Sequence, residues 1–520
     1  MQKIITTSNN SSDAVFQLIK SLTRSEKRHF RLFATRQSSN GDIKFLQLFD
    51  AFDGMSAYDE ERVLRQVPSI KKLQFANLKA NLYKQLLASM RLFHAQQNTD
   101  IQLHEQLDYA RVLYNKGLYQ QSLKMLEKVK AAAQQASYPH IQLAAIDFEK
   151  HIESQYITRS LEGRAEELSE EATNNIAHLS RLHKASSLAL RLYGLYIKMG
   201  HVRSPEECAS ITDFFRQQLP LLDLRQASFS EKLAFYQAHV WYNYIMQDFK
   251  ACYRYAQKWV DLFEAEPHMK EQQPMLYIKG LHNLLLALFS LSYYTKFMEA
   301  LQQLEDFAAD NNRRSSPNIE MLLFLYIYTN RINAYYMEGR FTEGLKIVPD
   351  IRRNLRVFQQ QLDPHRQLIF YYKIAGLYFG SGDYNSTILY LEKIIHFKDV
   401  NLREDIQCFA RILNLIAHYE AGKDELLEYQ VKSVFHFLGK MNDQQPMQVA
   451  IFEFLRELPD TSPFELKSAF IKLKEKLLLI SENPMYRRPF LYLDIISWLD
   501  SKIKNIPVQQ VMQQKFKTLK

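Results

Sequence analysis

The stretch AGLYFGSGDYNST, at residues 375–387, contains the pattern that decides the fold of this chain. An aromatic-rich run ends at Gly382, an aromatic residue follows two positions later, and Thr387 follows five positions later. Glycine readily adopts the left-handed backbone conformation that ends a helix. The aromatic residue would then fill the elbow, and the small residue would let the next helix pack closely. The pattern therefore predicts a helical hairpin.

The same pattern recurs along the chain, most clearly at residues 117–122 and 339–344. Placing a turn at the equivalent residue of each repeat gives eight turns that are 40 to 48 residues apart. Hairpins that recur in this way stack on their neighbours and form a solenoid. The predicted turns lie at Gly117, Arg159, Gly200, Gln247, Thr295, Gly339, Gly382 and Gly422.

This order of turn, aromatic and small residue resembles the tetratricopeptide repeat (TPR), a helix–turn–helix unit of about 34 residues. The resemblance covers Asp100 to Pro446 and implies an all-α, right-handed α-solenoid with roughly eight such units. The period here is longer, so we expect helices of about 18 residues, each about 27 Å long. A HEAT-like repeat fits this period equally.

The two ends differ from the repeats in charge and pattern. Residues 1–99 carry 15 Lys and Arg against 8 Asp and Glu, and residues 461–520 carry 11 against 5. The pair Thr23 and Glu26 forms a capping-box motif at the start of a helix. We therefore divide the chain into a basic N-terminal helical domain (1–99), a TPR-like array (100–446) and a basic C-terminal helical cap (447–520).

Several local signals set helix boundaries. A long helix is predicted from Ser69 to His94, with an apolar stripe, and Pro349 predicts a break in the second helix of its repeat. Ser204-Pro205 and Ser462-Pro463 are typical helix starts. Residues 310–317 are predicted to form a loop. The stripe consists of Leu73, Phe75, Leu78, Leu82 and Leu86, and the two helices predicted for the cap are Pro463–Ile480 and Pro489–Ile503.

Two strings at the ends of the chain carry a second resemblance. LIKSLTRSEKRHFRLF (residues 18–33) and YLDIISWLDSKIKN (residues 492–505) are similar to segments of uncharacterised cytosolic helical-repeat proteins that are common in Bacteroidetes. This resemblance implies no activity, cofactor or site residue.

Composition and motifs predict a cytoplasmic protein without catalytic residues. The cysteines Cys208, Cys252 and Cys408 lie far apart, which is typical of a reducing compartment. No apolar run reaches the ~18 residues of a membrane span, and the N-terminus lacks a secretion signal. Because phosphate-binding, zinc and nucleophile-elbow motifs are missing, we predict no metal and no cofactor. An enzyme with dispersed site residues is a weaker alternative than a binding scaffold or a regulator.

A row of aromatic residues gives the candidate binding site. Three residues before each predicted turn, six of the eight positions are aromatic. In TPR-like repeats this position faces inwards, so the row would either line a peptide groove or fill the seams between repeats. The eight positions are Tyr114, Tyr156, Ile197, Tyr244, Ser292, Tyr336, Phe379 and Tyr419, and the candidate groove is Trp241, Tyr244, Asn333, Tyr336, Phe379 and Tyr419.

The leading hypothesis is a non-enzymatic scaffold that binds a protein or peptide in this groove. The alternative is a transcriptional or signalling regulator, in which residues 1–99 bind DNA and the array senses a ligand. Against it, the turn at Leu22-Thr23 has no glycine, and Lys27, Arg28 and Arg31 form only a small basic patch. A nucleic-acid partner is therefore not expected. The partner's identity and the oligomeric state stay open.

Overall fold

A computed structural model provides the structure of the chain. Its described residues form helices and no strand, which confirms the all-α, solenoid-like fold. The structure describes residues 13–37, 44–95, 98–155, 163–202, 204–311, 316–359, 361–397, 404–422, 431, 434, 446–458, 461–462, 464–483, 486 and 494–519.

The chain forms two compact units, an N-terminal unit (Met1–Ala177) and a C-terminal unit (His178–Lys520). The division falls within one long helix. The domain boundaries expected at residues 99 and 446 stay predictions. The helices up to that division are α1 Ala14–Ser21, α2 Arg24–Gln37, α3 Lys44–Gly54, α4 Glu60–Gln66, α5 Lys72–Ala95, α6 Thr99–Asn115, α7 Tyr119–Gln135, α8 Pro139–Glu153 and α9 Arg164–Met199.

The first helices pack around their own core, and the local signals there are mostly confirmed. The backbone N–H of Thr23 donates to Glu26 Oε2 (2.6 Å) and that of Glu26 donates to Thr23 Oγ1 (3.3 Å), so the capping box forms at α2. Helix α5 buries Phe75, Leu82 and Leu86. Leu73 is 98% exposed, so its place in the stripe was wrong. Residues two apart point to different faces of a helix.

The C-terminal unit continues as neighbouring helical hairpins. Its helices after α9 are α10 Pro205–Gln218, α11 Phe229–Ile245, α12 Phe249–Ala265, α13 His268–Gln272, α14 Pro274–Ser290, α15 Tyr294–Asn311, α16 Pro317–Glu338, α17 Phe341–Gly344, α18 Val348–Val357, α19 Pro364–Ser381, α20 Tyr384–Ile395, α21 Glu404–Glu420, α22 Pro446–Glu457, α23 Leu466–Glu482, α24 Ile495–Lys504 and α25 Val508–Leu519.

Most of the predicted turns have the expected left-handed residue. Gly382 (φ 88°) ends α19, and its N–H donates to the carbonyl oxygen of Phe379. The turn assigned to Thr295 was wrong, because Thr295 lies inside α15 and the left-handed residue is Ser292 (φ 57°). The turn assigned to Arg159 lies outside the described residues. The confirmed left-handed turns are Gly117, Gly200, Gln247, Gly339, Gly382 and Gly422.

The small residue after each turn allows the close packing that the pattern predicts. Thr387 and Ser122 are fully buried, and Ser122 Oγ donates to the carbonyl oxygen of Ala110 on the preceding helix (2.7 Å). Leu391, one turn after Thr387, is also fully buried. Burial of these positions confirms the phase of the hairpins around Gly117 and Gly382.

The expected break at Pro349 is confirmed. A short helix, α17, is followed by a 3₁₀ turn at Leu345–Ile347, and α18 begins at Val348 with the proline in its first turn. Ser204 caps α10 as expected, since its side chain accepts from the N–H of Glu207. Helix lengths of 17 and 18 residues are frequent, but α9 has 36 and departs from the expected length.

The C-terminal segment differs from the prediction in detail. Helix α23 begins at Leu466, with Glu465 as its N-cap, and ends at Glu482. Pro463 and Pro489, which we expected to begin helices, lie outside the described residues. Trp498 Nε1, on α24, donates to Glu420 Oε1 at the end of α21 (2.7 Å). A further helix, α25, was not predicted, and it packs against α16 and α19.

Candidate ligand-binding site

A large cavity lies inside the C-terminal unit. Its volume is about 1540 Å³, and successive helices α9, α11, α14, α16 and α19 each contribute one face. The lining positions on a helix recur every three or four residues, as expected for one face. Residues 237, 241 and 244 on α11 and residues 279, 282, 286 and 289 on α14 show this spacing.

Five of the six predicted groove residues line this cavity: Trp241, Tyr244, Asn333, Tyr336 and Phe379. Trp241 and Tyr244 are half-buried, whereas Asn333 and Phe379 are 1% and 7% exposed. Trp241 packs against Tyr193 on α9, with ring centroids 4.7 Å apart.

Tyr336 connects two neighbouring inner helices as well as lining the cavity. Its hydroxyl donates to the backbone carbonyl of Lys373 on α19, and its ring lies 5.6 Å from Phe341. Burial raises the pKa of this hydroxyl, so it stays neutral. A side chain at Gly376 would collide with the hydroxyl, so glycine permits this close approach. Tyr336 therefore contributes to the seam between repeats and to the cavity wall.

Tyr419 lies elsewhere. It is on α21, its ring centroid is 6.5 Å from that of Phe470, and Lys502 Nζ lies 5.4 Å from the ring. The C-terminal helices α23 and α24 thus cover it. Of the other aromatic positions in the row, Tyr156 lies outside the described residues.

The corrected turn at Ser292 identifies an aromatic residue that sequence reasoning missed. Three positions before this turn comes Phe289, which is half-buried and lines the cavity. This turn was missed because Ser292, rather than a glycine, adopts the left-handed conformation. The aromatic Tyr294, two residues on, was the available signal.

Four basic side chains line the cavity beside its aromatic residues. They are Lys279, His282, Arg366 and Lys373, and we call them the basic cluster. They come from the inner faces of α14 and α19. All four are half-buried. None of them was predicted from the sequence.

The cluster is held by neutral partners. Lys373 Nζ donates to Asn333 Oδ1 (2.6 Å) and lies 5.7 Å from the ring centroid of Tyr336. The imidazole of His282 stacks on Tyr326 with centroids 3.8 Å apart. Arg366 lies 5.9 Å from the same tyrosine ring. Cations and aromatic faces attract each other, but a ring does not neutralise the charge.

Burial and mutual repulsion shift the proton equilibria of the cluster. Burial lowers the pKa of Lys373 to about 8. Burial, with Arg366 and Lys373 nearby, lowers the pKa of His282 to about 3, so this imidazole is neutral. Burial and Arg366 also lower the pKa of Lys279. Each shift has the direction that a low-dielectric, positively charged site produces.

No carboxylate of the described residues pairs with Lys279, Arg366 or Lys373. Asp248 and Asp494 also line the cavity, but Asp248 accepts from the backbone N–H of Ala251 (2.9 Å), and Asp494 accepts from Lys515 Nζ (3.1 Å) and from Ser497. Buried cations in proteins are normally paired. The cavity therefore carries uncompensated positive charge.

The C-terminal helix α25 forms another wall of the cavity. Met512 and Phe516 line the cavity from this helix, and the ring of Phe516 meets that of Tyr294 at 4.7 Å. Gln513 Nε2 donates to the carbonyl oxygen of Gly339 (3.1 Å). The turn between α16 and α17 is thus held by the end of the chain.

Within the described ranges, no group of three or more His, Cys, Asp or Glu side chains is arranged to hold a metal ion. No helix in the described part of the chain has both the length and the apolar character needed to cross a membrane.

Comparisons with known proteins add no family to this description. No family model, no curated protein and no solved structure matches the chain. The cavity, its aromatic lining and its unpaired cations are therefore the observations from which function must be argued.

Proposed function

We propose that this protein is a non-enzymatic binding protein, a TPR-like scaffold that holds a peptide segment of a partner protein in the cavity of the C-terminal unit. The observation that carries this proposal is the cavity of about 1540 Å³, lined by Tyr244, Tyr336 and Phe379 of the aromatic row. Typical small-molecule pockets measure about 300–1,000 Å³. A cavity of this size suits a chain of several residues better than a single small metabolite.

The lining chemistry supports peptide binding. Half-buried Trp241, Tyr244 and Phe289 offer apolar area, and aromatic residues dominate the affinity of protein interfaces. Leu190 and Tyr193 line the cavity from α9 and are 70% and 38% exposed. A ligand that entered along α9 would cover this apolar surface.

The alternative regulator with a DNA-binding N-terminal domain has less support. Lys27 Nζ pairs with Asp53 (2.6 Å), and Arg31 pairs with Asp50 (2.9 Å). These carboxylates from α3 neutralise two of the three basic residues that would contact phosphates. Phosphate binding depends on unneutralised cations.

A variant whose cavity is partly filled by a larger side chain provides the test. A random peptide library is panned on the full chain, and selected peptides are titrated while tryptophan fluorescence is recorded. Trp241 and Trp259 both line the cavity and report on it, whereas Trp498 is not among its lining residues. Leu286→Trp adds bulk inside the cavity, whereas Leu389→Trp adds the same bulk at a 56% exposed position on α20.

We expect selected peptides to saturate the protein, with Leu286→Trp weakening them at least tenfold and Leu389→Trp having little effect. Equal binding by Leu286→Trp would place the peptides outside the cavity. Failure of panning to enrich any saturating peptide would also contradict the proposal.

A further inference from the structure

We propose that the bound peptide is acidic and that one of its carboxylates sits on the basic cluster, contacted by Arg366, Lys373 and Lys279. This inference rests on the proposed function and names the chemical class of its ligand. It follows from the presence of the three cations in one cavity, where no carboxylate of the described residues pairs with them.

The cluster is organised around the polar side chains of α16. Asn330 Nδ2 donates to the carbonyl oxygen of Tyr326 (2.7 Å) and lies 3.3 Å from His282 Nδ1. Asn333 Nδ2 donates to Asn330 Oδ1 (3.2 Å), and Asn333 Oδ1 accepts from Lys373. Both side-chain amides are therefore hydrogen-bonded to neighbouring groups. This chain of contacts holds Lys373 against the cavity wall and assigns the proton of His282 to Nε2.

Only one of the three hydrogens on Lys373 Nζ has a partner among the described side chains, namely Asn333. Lys279 Nζ has no hydrogen-bond partner among them, and Arg366 contacts only Tyr326. The remaining donors would be satisfied by acceptors of a ligand. An anionic oxygen acceptor would also remove the repulsion among the cations, which a neutral ligand would not.

The backbone favours a carboxylate over a phosphate. Phosphate sites usually use free backbone N–H groups at helix N-termini. Lys279, His282 and Lys373 instead lie within the helical runs Pro274–Ser290 and Pro364–Ser381, beyond their first turns. Their N–H groups are used inside the helix. Arg366 lies in the first turn of α19, but its backbone N–H donates to the carbonyl oxygen of Asp363 (3.0 Å). The site therefore offers side-chain donors, and the planar guanidinium of Arg366 matches a planar carboxylate.

The aromatic rings around the cluster define the rest of the ligand. Phe289 and Tyr336 flank Lys373, whose Nζ lies 6.0 Å and 5.7 Å from the two ring centroids. A peptide that places a carboxylate on Lys373 would place neighbouring side chains against these rings. We therefore expect an acidic residue, or the C-terminal carboxylate, next to an apolar residue.

The test uses the full chain and paired probes. Each selected peptide is compared with versions in which Asp and Glu are replaced by Asn and Gln, and in which the C-terminus is amidated. The same titrations are made with Lys373→Met and Arg366→Met. Lys393→Met is the matched control, because Lys393 also lies over a tyrosine ring (4.4 Å from Tyr390) but belongs to α20 outside the cavity. Three small probes complete the set: 3-phenylpropionate, 3-phenylpropionamide and inorganic phosphate.

We expect loss of one particular carboxylate to weaken a peptide at least tenfold, and Lys373→Met and Arg366→Met to do the same, while Lys393→Met does not. Peptides that bind in the cavity but tolerate every amide replacement would overturn this inference and leave the proposed function standing. Saturation by 3-phenylpropionate without any peptide binder would support the carboxylate site and contradict the peptide scaffold. Tighter binding of phosphate than of 3-phenylpropionate would overturn the carboxylate assignment.

Discussion

The two compact units differ in whether their buried cations are paired with carboxylates. In the N-terminal unit, Lys130 and Arg164 both contact Glu149, at 2.6 Å and 2.7 Å, and both also contact Glu171. In the C-terminal unit, Lys373 donates to an amide and lies beside aromatic rings, Arg366 lies beside Tyr326, and no carboxylate of the described residues pairs with Lys279, Arg366 or Lys373. The cations of the first cluster are paired with carboxylates of the chain itself, whereas those of the second are not.

The difference separates a structural ion cluster from a binding site. Isolated charges are costly to bury, so a fold that keeps them unpaired loses stability unless another role retains them. The pKa values follow this contrast: Glu149 and its neighbours raise the pKa of Arg164, whereas burial lowers that of Lys373. Binding sites commonly trade stability for function in this way.

The largest effect is expected when the complete cluster is broken. The Glu149 side chain is 0% exposed, so Glu149→Gln would leave Lys130 and Arg164 under-compensated in the interior. Removing one partner of a buried pair typically costs about 3–5 kcal/mol. Chemical denaturation should show a loss of this size. Glu170→Gln, at an exposed position on the same helix as Arg164, should change stability by less than about 0.5 kcal/mol. Equal effects would refute the structural role of the N-terminal cluster.

The next effect concerns α25, which forms one wall of the cavity. Gly339 and Gly382 occupy the same left-handed cap position, with φ of 65° and 88°. A Cβ at Gly339 would approach the backbone N of Gln513 to 2.7 Å, whereas one at Gly382 would meet nothing within 4 Å. Both alanine variants carry backbone strain of about 1 kcal/mol. We expect Gly339→Ala to cost at least about 1 kcal/mol more, as overpacking does.

Limited proteolysis should locate that difference at the end of the chain, with cleavage near Lys504 and Lys515 faster in Gly339→Ala than in Gly382→Ala. Identical stability and identical cleavage would show that α25 does not hold this turn.

The pH dependence of peptide affinity tests whether the unpaired cations of the basic cluster bind an anion. The cations of the cluster bind an anion only when protonated, and Lys373 has a pKa of about 8 without ligand. An anion raises that pKa, so affinity should be flat between about pH 6 and pH 8, where the peptide carboxylates are ionised, and fall above pH 8. Loss of the Lys373 proton alone lowers the affinity by at most about tenfold per pH unit. His282 stays neutral in this range, while Lys279 titrates in the same direction as Lys373.

The profile is measured with an acidic peptide by fluorescence, and Lys373→Met should flatten much of the decline above pH 8. Affinity that rises above pH 8 would mean that the cluster does not bind the anion in its protonated form.

Stability should respond to Lys373→Met in the direction opposite to Glu149→Gln. Because the fold penalises the charged lysine, its removal should raise stability at pH 7, by roughly 1 kcal/mol, in line with other replacements of buried charge. The gain should narrow as the pH rises from about 8 towards 10.5, since the folded wild-type lysine loses its proton first. Thermal unfolding at several pH values measures this, with Lys393→Met as control. A clear loss of stability would make Lys373 a structural residue.

The sequence predicted the hairpins well because their signals are local. A glycine that accepts a left-handed conformation, as at Gly382, and a small residue at Thr387 act within a few positions of one another. Ser292 shows the limit, because a turn without glycine shifted the assignment by three residues and hid Phe289. The basic cluster could not be predicted, since the absence of carboxylates around Lys373 depends on three helices coming together. The packing of α25 against α16 is non-local for the same reason.

The smallest effect is expected at the basic N-terminal end, where we predict no sequence-specific DNA binding. Lys27 and Arg31 are basic in composition but resemble Lys130 and Arg164 in being paired, here with Asp53 and Asp50. Cations that are already paired release few counterions from DNA, so binding should be weak and should depend little on salt.

Electrophoretic shifts with a pool of random duplexes at about 150 mM salt should give no selected sequence. Asp50→Asn with Asp53→Asn frees the two cations, so this variant should show more non-specific binding at low salt than the wild type. That gain would confirm that the pairs, rather than a lack of basic residues, suppress the attraction. A sequence-specific complex of the wild type at the same salt would instead contradict the prediction. The regulator would then become the leading hypothesis for the N-terminal domain, even if a peptide occupied the cavity.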